Sequence, residues 1–205
     1  PYKRDSIANT AASSYAYAVK WDGFSSAQFA ADLLTQKINI KTSEEPFTIN
    51  GIEFSRGSLI VISQANEKTK DFQKKIAQTA NKHQIKLHPV TSGIVDKGND
   101  FGSSKVHTLK APRIVMFSGE GVRAINVGEV WHYFDKQLGY PVTLVNLSDI
   151  SRMKWNEVEV VIMPKGTYTL LKEKSQEERL GDWGRAGGKI GVVESDGEQV
   201  REEAR

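Results

Sequence analysis

The chain has 205 residues, 39% hydrophobic and 26% charged, a balance that argues for an ordinary folded core and against disorder or a fibrous repeat. Twenty-eight Lys plus Arg against 25 Asp plus Glu leave a net charge of +3, scattered along the sequence; no nucleic-acid partner is expected, because that needs clustered cations. The lack of cysteine removes thiol nucleophiles, disulfides, zinc ribbons and iron–sulfur clusters, and no apolar run approaches the roughly 18 residues of a membrane helix, so no membrane span is expected.

The start, "PYKRDSIANTAASSYAYAV", lacks an initiator Met and reads as the interior of a longer polypeptide or a processed product. Tyr15 to Trp21 alternate and are aromatic-rich, as a strand would be. "DGFSS" then offers turn residues and a cap for the helix "AQFAADLLTQK", in which Phe29, Leu33 and Leu34 share a face. Short β-prone pieces follow, split by Pro46, by the Asn50-Gly51 hairpin signal and by Gly57. Ser58 to Ile62 is apolar enough for a central strand buried on both faces. "TKDFQKKIAQTANKHQ" is an amphipathic helix with Phe72, Ile76 and Ala80 at helical spacing, and "IKLHPV" is a strand. Residues 1–92 therefore predict a small α/β layer structure. Residues 93–111, with three glycines and little periodicity, read as a connector.

From Pro112 the pattern restarts. Strands are expected at Arg113 to Phe117, Val142 to Asn146, Val158 to Met163 and Lys189 to Val193, and helices at Gly128 to Leu138 and Gln176 to Arg185. The order β-α-β-β-α-β suggests an open sheet whose strand ends carry any ligand site. At residues 112–205 this second α/β unit is short for a doubly wound domain and looks truncated. The tail "ESDGEQVREEAR" is polar and expected to fray.

Gly119, Gly121 and Ala124 fit G-x-G-x-x-A, in which glycines let the backbone approach a pyrophosphate at a helix N-terminus. Asn126 and Gly128 are expected to delay the helix, and Asn146 stands where an acidic ribose ligand would be needed. The glycines thus either bind a ligand or turn a corner. Ser118, Gly119, Glu120, Gly121, Glu129, His132, Pro164 and Gly166 are the residues that could face one crevice at the strand ends. Glu129 and His132, three apart on a helix, could point the same way. Against this, Glu129 is also favourable at a helix N-terminus without any ligand. The four histidines fall in no zinc spacing, no nucleophile elbow occurs, and Trp21, Trp131, Trp155 and Trp183 read as core and edge fillers.

Five stretches together, "YAYAVKWDGFSSAQFAADLL", "RGSLIVISQAN", "TSGIVDKGNDFGSSKV", "GEGVRAINVGEVWHYFDKQLGYPVTLVN" and "VEVVIMPKGTY", resemble the region after the catalytic domain of large bacterial zinc carboxypeptidase-like proteins of the carboxypeptidase A type. The combination of "DKGNDFGS" with "GEGV" and "GEVWHYF" carries the resemblance. It implies that the second unit is a flavodoxin-like, class I glutamine amidotransferase-like domain, and that the parent is a secreted or periplasmic zinc peptidase. The chain lacks that family's H-x-x-E zinc motif, so the resemblance puts zinc in an upstream peptidase domain of the same polypeptide and no cofactor here. It also lacks the cysteine an amidotransferase needs after the strand that "KIGVV" resembles, which leaves glutamine hydrolysis without a covalent route. Gly184 and Gly191 depart from the apolar residues the resemblance would put there. The expectation is a noncatalytic accessory region. The alternatives are a module binding an unknown small ligand at the strand ends of the second unit and a nucleotide-dependent enzyme built on the glycine loop.

Overall fold

A computed structural model describes residues 7–193; Pro1 to Ser6 and the tail from Glu194, expected to fray, lie outside the described residues. The chain divides by contact between Ala111 and Pro112 into two units.

In the first unit, strands β1 (Ala16–Val19), β2 (Lys41–Ser43), β5 (Leu59–Ile62), β6 (His88–Val90) and β7 (Val106–Thr108) form one sheet in the order β6-β1-β5-β2-β7. Every neighbouring pair is antiparallel. Strand alternation divides the buried side chains between two faces. Tyr17, Val19, Leu59 and Val61 pack under helices α1 (Phe24–Thr35) and α2 (Phe72–Lys82), with Phe29, Leu33, Phe72 and Ile76. Ala16, Ala18 and Ile60 meet the hairpin of β3 (Phe47–Ile49) and β4 (Ile52–Phe54) on the other face. The small Ala side chains leave room there for Phe47 and Phe54, whose rings stack 4.9 Å apart. Asn50 and Gly51 both have positive φ, 51° and 69°, which the tight turn between β3 and β4 requires.

Residues 93–111 are not a connector. β7 pairs with β2 through Ser43↔Val106 and Lys41↔Thr108, and Phe101 is fully buried beneath the hairpin. The glycine-rich stretch before it is held by main-chain hydrogen bonds: Thr48 N donates to Lys97 O (2.8 Å) and Asp96 N to Thr48 O (2.8 Å). Such bonds need no side-chain periodicity, which is why the sequence pattern looks unstructured.

The second unit has strands β8 (Ile114–Ser118), β9 (Val142–Asn146), β10 (Val160–Pro164) and β11 (Lys189–Val193). They form an all-parallel sheet in the order β11-β10-β8-β9. Helix α3 (Ala124–His132) lies on one face, where Val130 meets Met116 and Ile162. The other face carries α4 (Lys174–Arg185) and the short helical turns 147–152, 155–157 and 169–172; their Trp183, Leu147, Trp155 and Leu171 cover Val115, Phe117 and Val161. Both units are α/β. α3 begins at Ala124, four residues earlier than the sequence suggests, and continues through a wider turn, Tyr133–Leu138, to Gly139 in the left-handed region. Gly128 does not interrupt it, and Asn126 sits buried in its first turn, donating to Glu129 Oε2 (3.4 Å). At Gly184 and Gly191 an added Cβ would meet nothing within 4 Å, so neither glycine is demanded by packing.

Near their C-terminal ends α1 and α2 are joined by a polar clasp. Asp32 accepts from Gln36 Nε2 (2.8 Å), Lys82 Nζ (2.8 Å) and His83 Nε2 (3.0 Å). Burial alone would raise the Asp32 pKa, but the hydrogen bonds from Lys82, His83 and Gln36 together outweigh it and hold it below the ordinary carboxylate value. A depressed folded pKa contributes stability above the unfolded value and loses it as pH falls through the folded value. Asp32→Asn should therefore flatten the acid limb of the stability curve by on the order of 1 kcal/mol or less, the partners being partly solvent-screened. Urea midpoints of both proteins between about pH 6 and about pH 3 measure this, and parallel curves would assign the clasp no role.

Candidate functional site

Strands β8 and β10 are neighbours, yet the chain leaves β8 toward β9 on one side and β10 toward β11 on the other. Where strand order reverses in this way, open α/β sheets leave a crevice outside the carboxyl ends of the strands. Loop 119–123 leaves β8 at that point and loop 165–168 leaves β10.

The two loops are zipped together by main-chain atoms. Arg123 N donates to Lys165 O (2.9 Å) and Thr167 N to Gly121 O (2.7 Å), and Val122 and Gly166 form an antiparallel bridge. A Cβ on Gly121 would lie 2.6 Å from Thr167 O, and one on Gly166 2.6 Å from Gly121 O. Only glycine permits that approach, and Gly121 also holds φ at 88°. Gly119, at φ 90°, faces the side chain of Asn146, whose carboxamide fills the place a Cβ would take. That carboxamide is itself fixed, since Asn146 Oδ1 accepts from Ser148 N (3.1 Å) and Ser148 Oγ (3.0 Å) and so caps the turn 147–152. Behind the second loop, Tyr168 OH donates to Pro164 O. Burial pushes the Tyr168 phenol up to about 12, which keeps it a neutral donor.

Of the expected site residues, Gly119 and Gly121 come together with Gly166, and Pro164 anchors the same corner. Ser118 pairs with Asn146 in the sheet, and its Oγ donates to Val145 O (3.3 Å). Glu120 is exposed. Glu129 and His132 do not converge on this crevice: Glu129 lines a groove beside α3 with Val192 and Val193, and His132 is exposed and outside that groove. The G-x-G-x-x-A pattern is thus placed after a strand and before a helix that starts at its last position, but its main chain from Gly121 to Arg123 bonds to another loop. Asn146, read in the sequence as a missing acidic ligand, is the residue that the pattern alone does not bring out. The signal for it is the run Asn146-Leu147-Ser148-Asp149, an asparagine followed by a serine two positions on.

No family model matches this chain, and neither curated proteins nor solved structures provide a match.

The histidines engage different partners. His83 meets Asp32, His107 Nε2 lies 2.8 Å from Glu44, His88 lies edge-on to Phe54 and His132 is exposed. Among the described residues no three His, Asp or Glu side chains gather as metal ligands would.

Gly119→Ala is expected to lower stability by about 1–3 kcal/mol through positive-φ strain and collision with Asn146. In an Asn146→Ala background the loss should shrink, leaving mainly the backbone strain. A double-mutant cycle read by chemical denaturation tests this, and additive losses would show that the two positions are not in contact.

Proposed function

We propose that the chain is a noncatalytic accessory region of a zinc carboxypeptidase-like protein, secreted or periplasmic, with the zinc-bearing peptidase domain upstream in the same polypeptide. The run of motifs from "YAYAVKW" to "PKGTY" supports the family part of this reading. The strand order β11-β10-β8-β9 supports an amidotransferase-like, flavodoxin-like second unit.

One observation carries the noncatalytic part. At the point where a sheet of this topology offers its crevice, the donors Val122 N and Arg123 N are engaged by Gly119 O (3.1 Å) and Lys165 O (2.9 Å), and Gly121 O accepts from Thr167 N. A pyrophosphate cradle needs backbone donors aimed outward, and glutamine hydrolysis needs a thiol that the sequence does not contain. The peptidase step needs a metal held by converging donors, and among the described residues no three His, Asp or Glu side chains gather in that way. What remains for the chain is mechanical work: stabilising, placing substrate or meeting a partner. The reading of the strand ends as a small-ligand or nucleotide site would have to use groups outside this bridge, such as the exposed Glu120.

The isolated chain, assayed with added zinc, should show neither release of C-terminal residues from peptides nor glutamine hydrolysis. Turnover well above background in either assay would refute the noncatalytic reading. The family part has its own test: the natural polypeptide upstream of Pro1 should carry H-x-x-E and a distant third histidine, and a polypeptide without them removes the peptidase parent.

A further inference from the structure

The hairpin that covers one face of the first sheet turns on a chemically fragile pair. β3 and β4 are joined by two residues, since Ile49 pairs with Ile52, and both of them, Asn50 and Gly51, take the left-handed conformation. Asparagine and glycine suit such a turn because they tolerate positive φ best. The same pair is open to deamidation: asparagine is a thermolabile residue, and a glycine after it has no side chain to shield its main-chain nitrogen. Both residues are exposed, so water reaches the tip. In that reaction Gly51 N loses its proton and attacks Asn50 Cγ. A bond forms from N to Cγ, the Cγ–Nδ2 bond breaks, and ammonia leaves with the proton. Water then opens the succinimide ring at either carbonyl to give aspartate or isoaspartate, with no oxidant or cofactor required.

The fold engages the attacking atom. Gly51 N donates to Asp96 Oδ2 (2.9 Å). A carboxylate that accepts from the N–H favours the protonated amide and opposes the negative charge that loss of the proton creates. Asp96 is itself held in place. Its N donates to Thr48 O (2.8 Å), Thr48 N donates to Lys97 O (2.8 Å), and Val95 N donates to Asp100 Oδ1 (2.8 Å). Gly98 allows the approach, with φ at 99° and its Cβ position only 2.8 Å from Pro46 O. The run "DKGND" is thus a brace laid along β3 with one carboxylate bonded to the turn.

We propose that Asn50 is a deamidation site held in check by Asp96, whose carboxylate keeps Gly51 N from attacking. Asp96 is a positioning residue that acts through that nitrogen. Either product of the reaction puts a new carboxylate beside Asp96. Isoaspartate also adds a backbone carbon to a two-residue turn, which disturbs the pairing of Phe47 with Phe54. Those rings stack against each other over Ala16 and Ala18, so damage at the tip passes to the cover of the sheet.

The test incubates the full chain and its Asp96→Ala, Asp96→Asn and Phe101→Leu variants in mildly alkaline buffer, beside a synthetic peptide of residues 45–55. Peptide-mapping mass spectrometry follows the conversion of Asn50. In the unmodified chain Asn50 should react at least about tenfold more slowly than in the peptide, and Asp96→Ala should raise the rate about tenfold, as loss of a charge-assisted hydrogen bond implies. Asp96→Asn, which keeps an acceptor and loses the charge, should fall between the two. Phe101→Leu separates the hydrogen bond from mere loosening: it shrinks the anchor beneath the hairpin and keeps Asp96, so its rate should stay near that of the unmodified chain even where its urea midpoint falls as far as that of Asp96→Ala. Reaction of the unmodified chain at the rate of the peptide would overturn the proposal. So would an unchanged or slower rate in Asp96→Ala, the slower one making Asp96 a base that assists the attack, or equal acceleration by Phe101→Leu at an equal loss of midpoint.

Discussion

The second unit depends on how closely two stretches of main chain can approach. Loops 119–123 and 165–168 meet with Gly121 O accepting from Thr167 N at 2.7 Å, a separation that leaves no volume for a side chain on Gly121 or Gly166. Asn146 enters the same corner from β9, taking the space beside Gly119 while capping the turn that follows it. The carboxyl ends of three parallel strands are thereby tied by one cluster of contacts. A buried parallel sheet, which has no hairpins to fix its register, gains from such a tie at the place where its chain reverses order.

The first unit solves a different problem with the same material. Its sheet is antiparallel and lacks the two helical layers of the second unit, yet β1 is buried along its whole length. Helices supply one cover and an aromatic hairpin the other, and the sheet's side chains are sized to match: Tyr17 and Val19 toward the helices, Ala16 and Ala18 toward Phe47 and Phe54. Loop 91–104 then closes over the hairpin with Phe101 as its anchor.

Much of this is legible in the sequence. The stripe Phe72, Ile76, Ala80 marks α2 because helical spacing leaves a side-chain record. The Asn50-Gly51 pair marks the hairpin because a left-handed turn restricts residue choice, and four successive apolar residues mark β5 as a central strand. What stayed hidden is what main-chain atoms do. The segment before β7 looked like a connector because carbonyl and amide groups hold it. The early start of α3 was obscured because Asn126 and Gly128 read as breakers, although one is buried against Glu129 and the other faces open space. At the strand ends the glycines were visible in the sequence, but their partner loop was not, since nothing about Lys165 or Thr167 announces a backbone contact far along the chain. Spacing alone groups Glu129 with His132, but only Glu129 lines the groove beside α3.

A fastening made from peptide groups has an evolutionary corollary. Glu120 and Thr167 sit on the two fastened loops and reach solvent, so their side chains can drift without loosening the join, while the glycines under them cannot. The rim above β8 and β10 is in effect a rigid stage with interchangeable fittings, able to acquire new surface chemistry through single substitutions while the sheet beneath stays as it is.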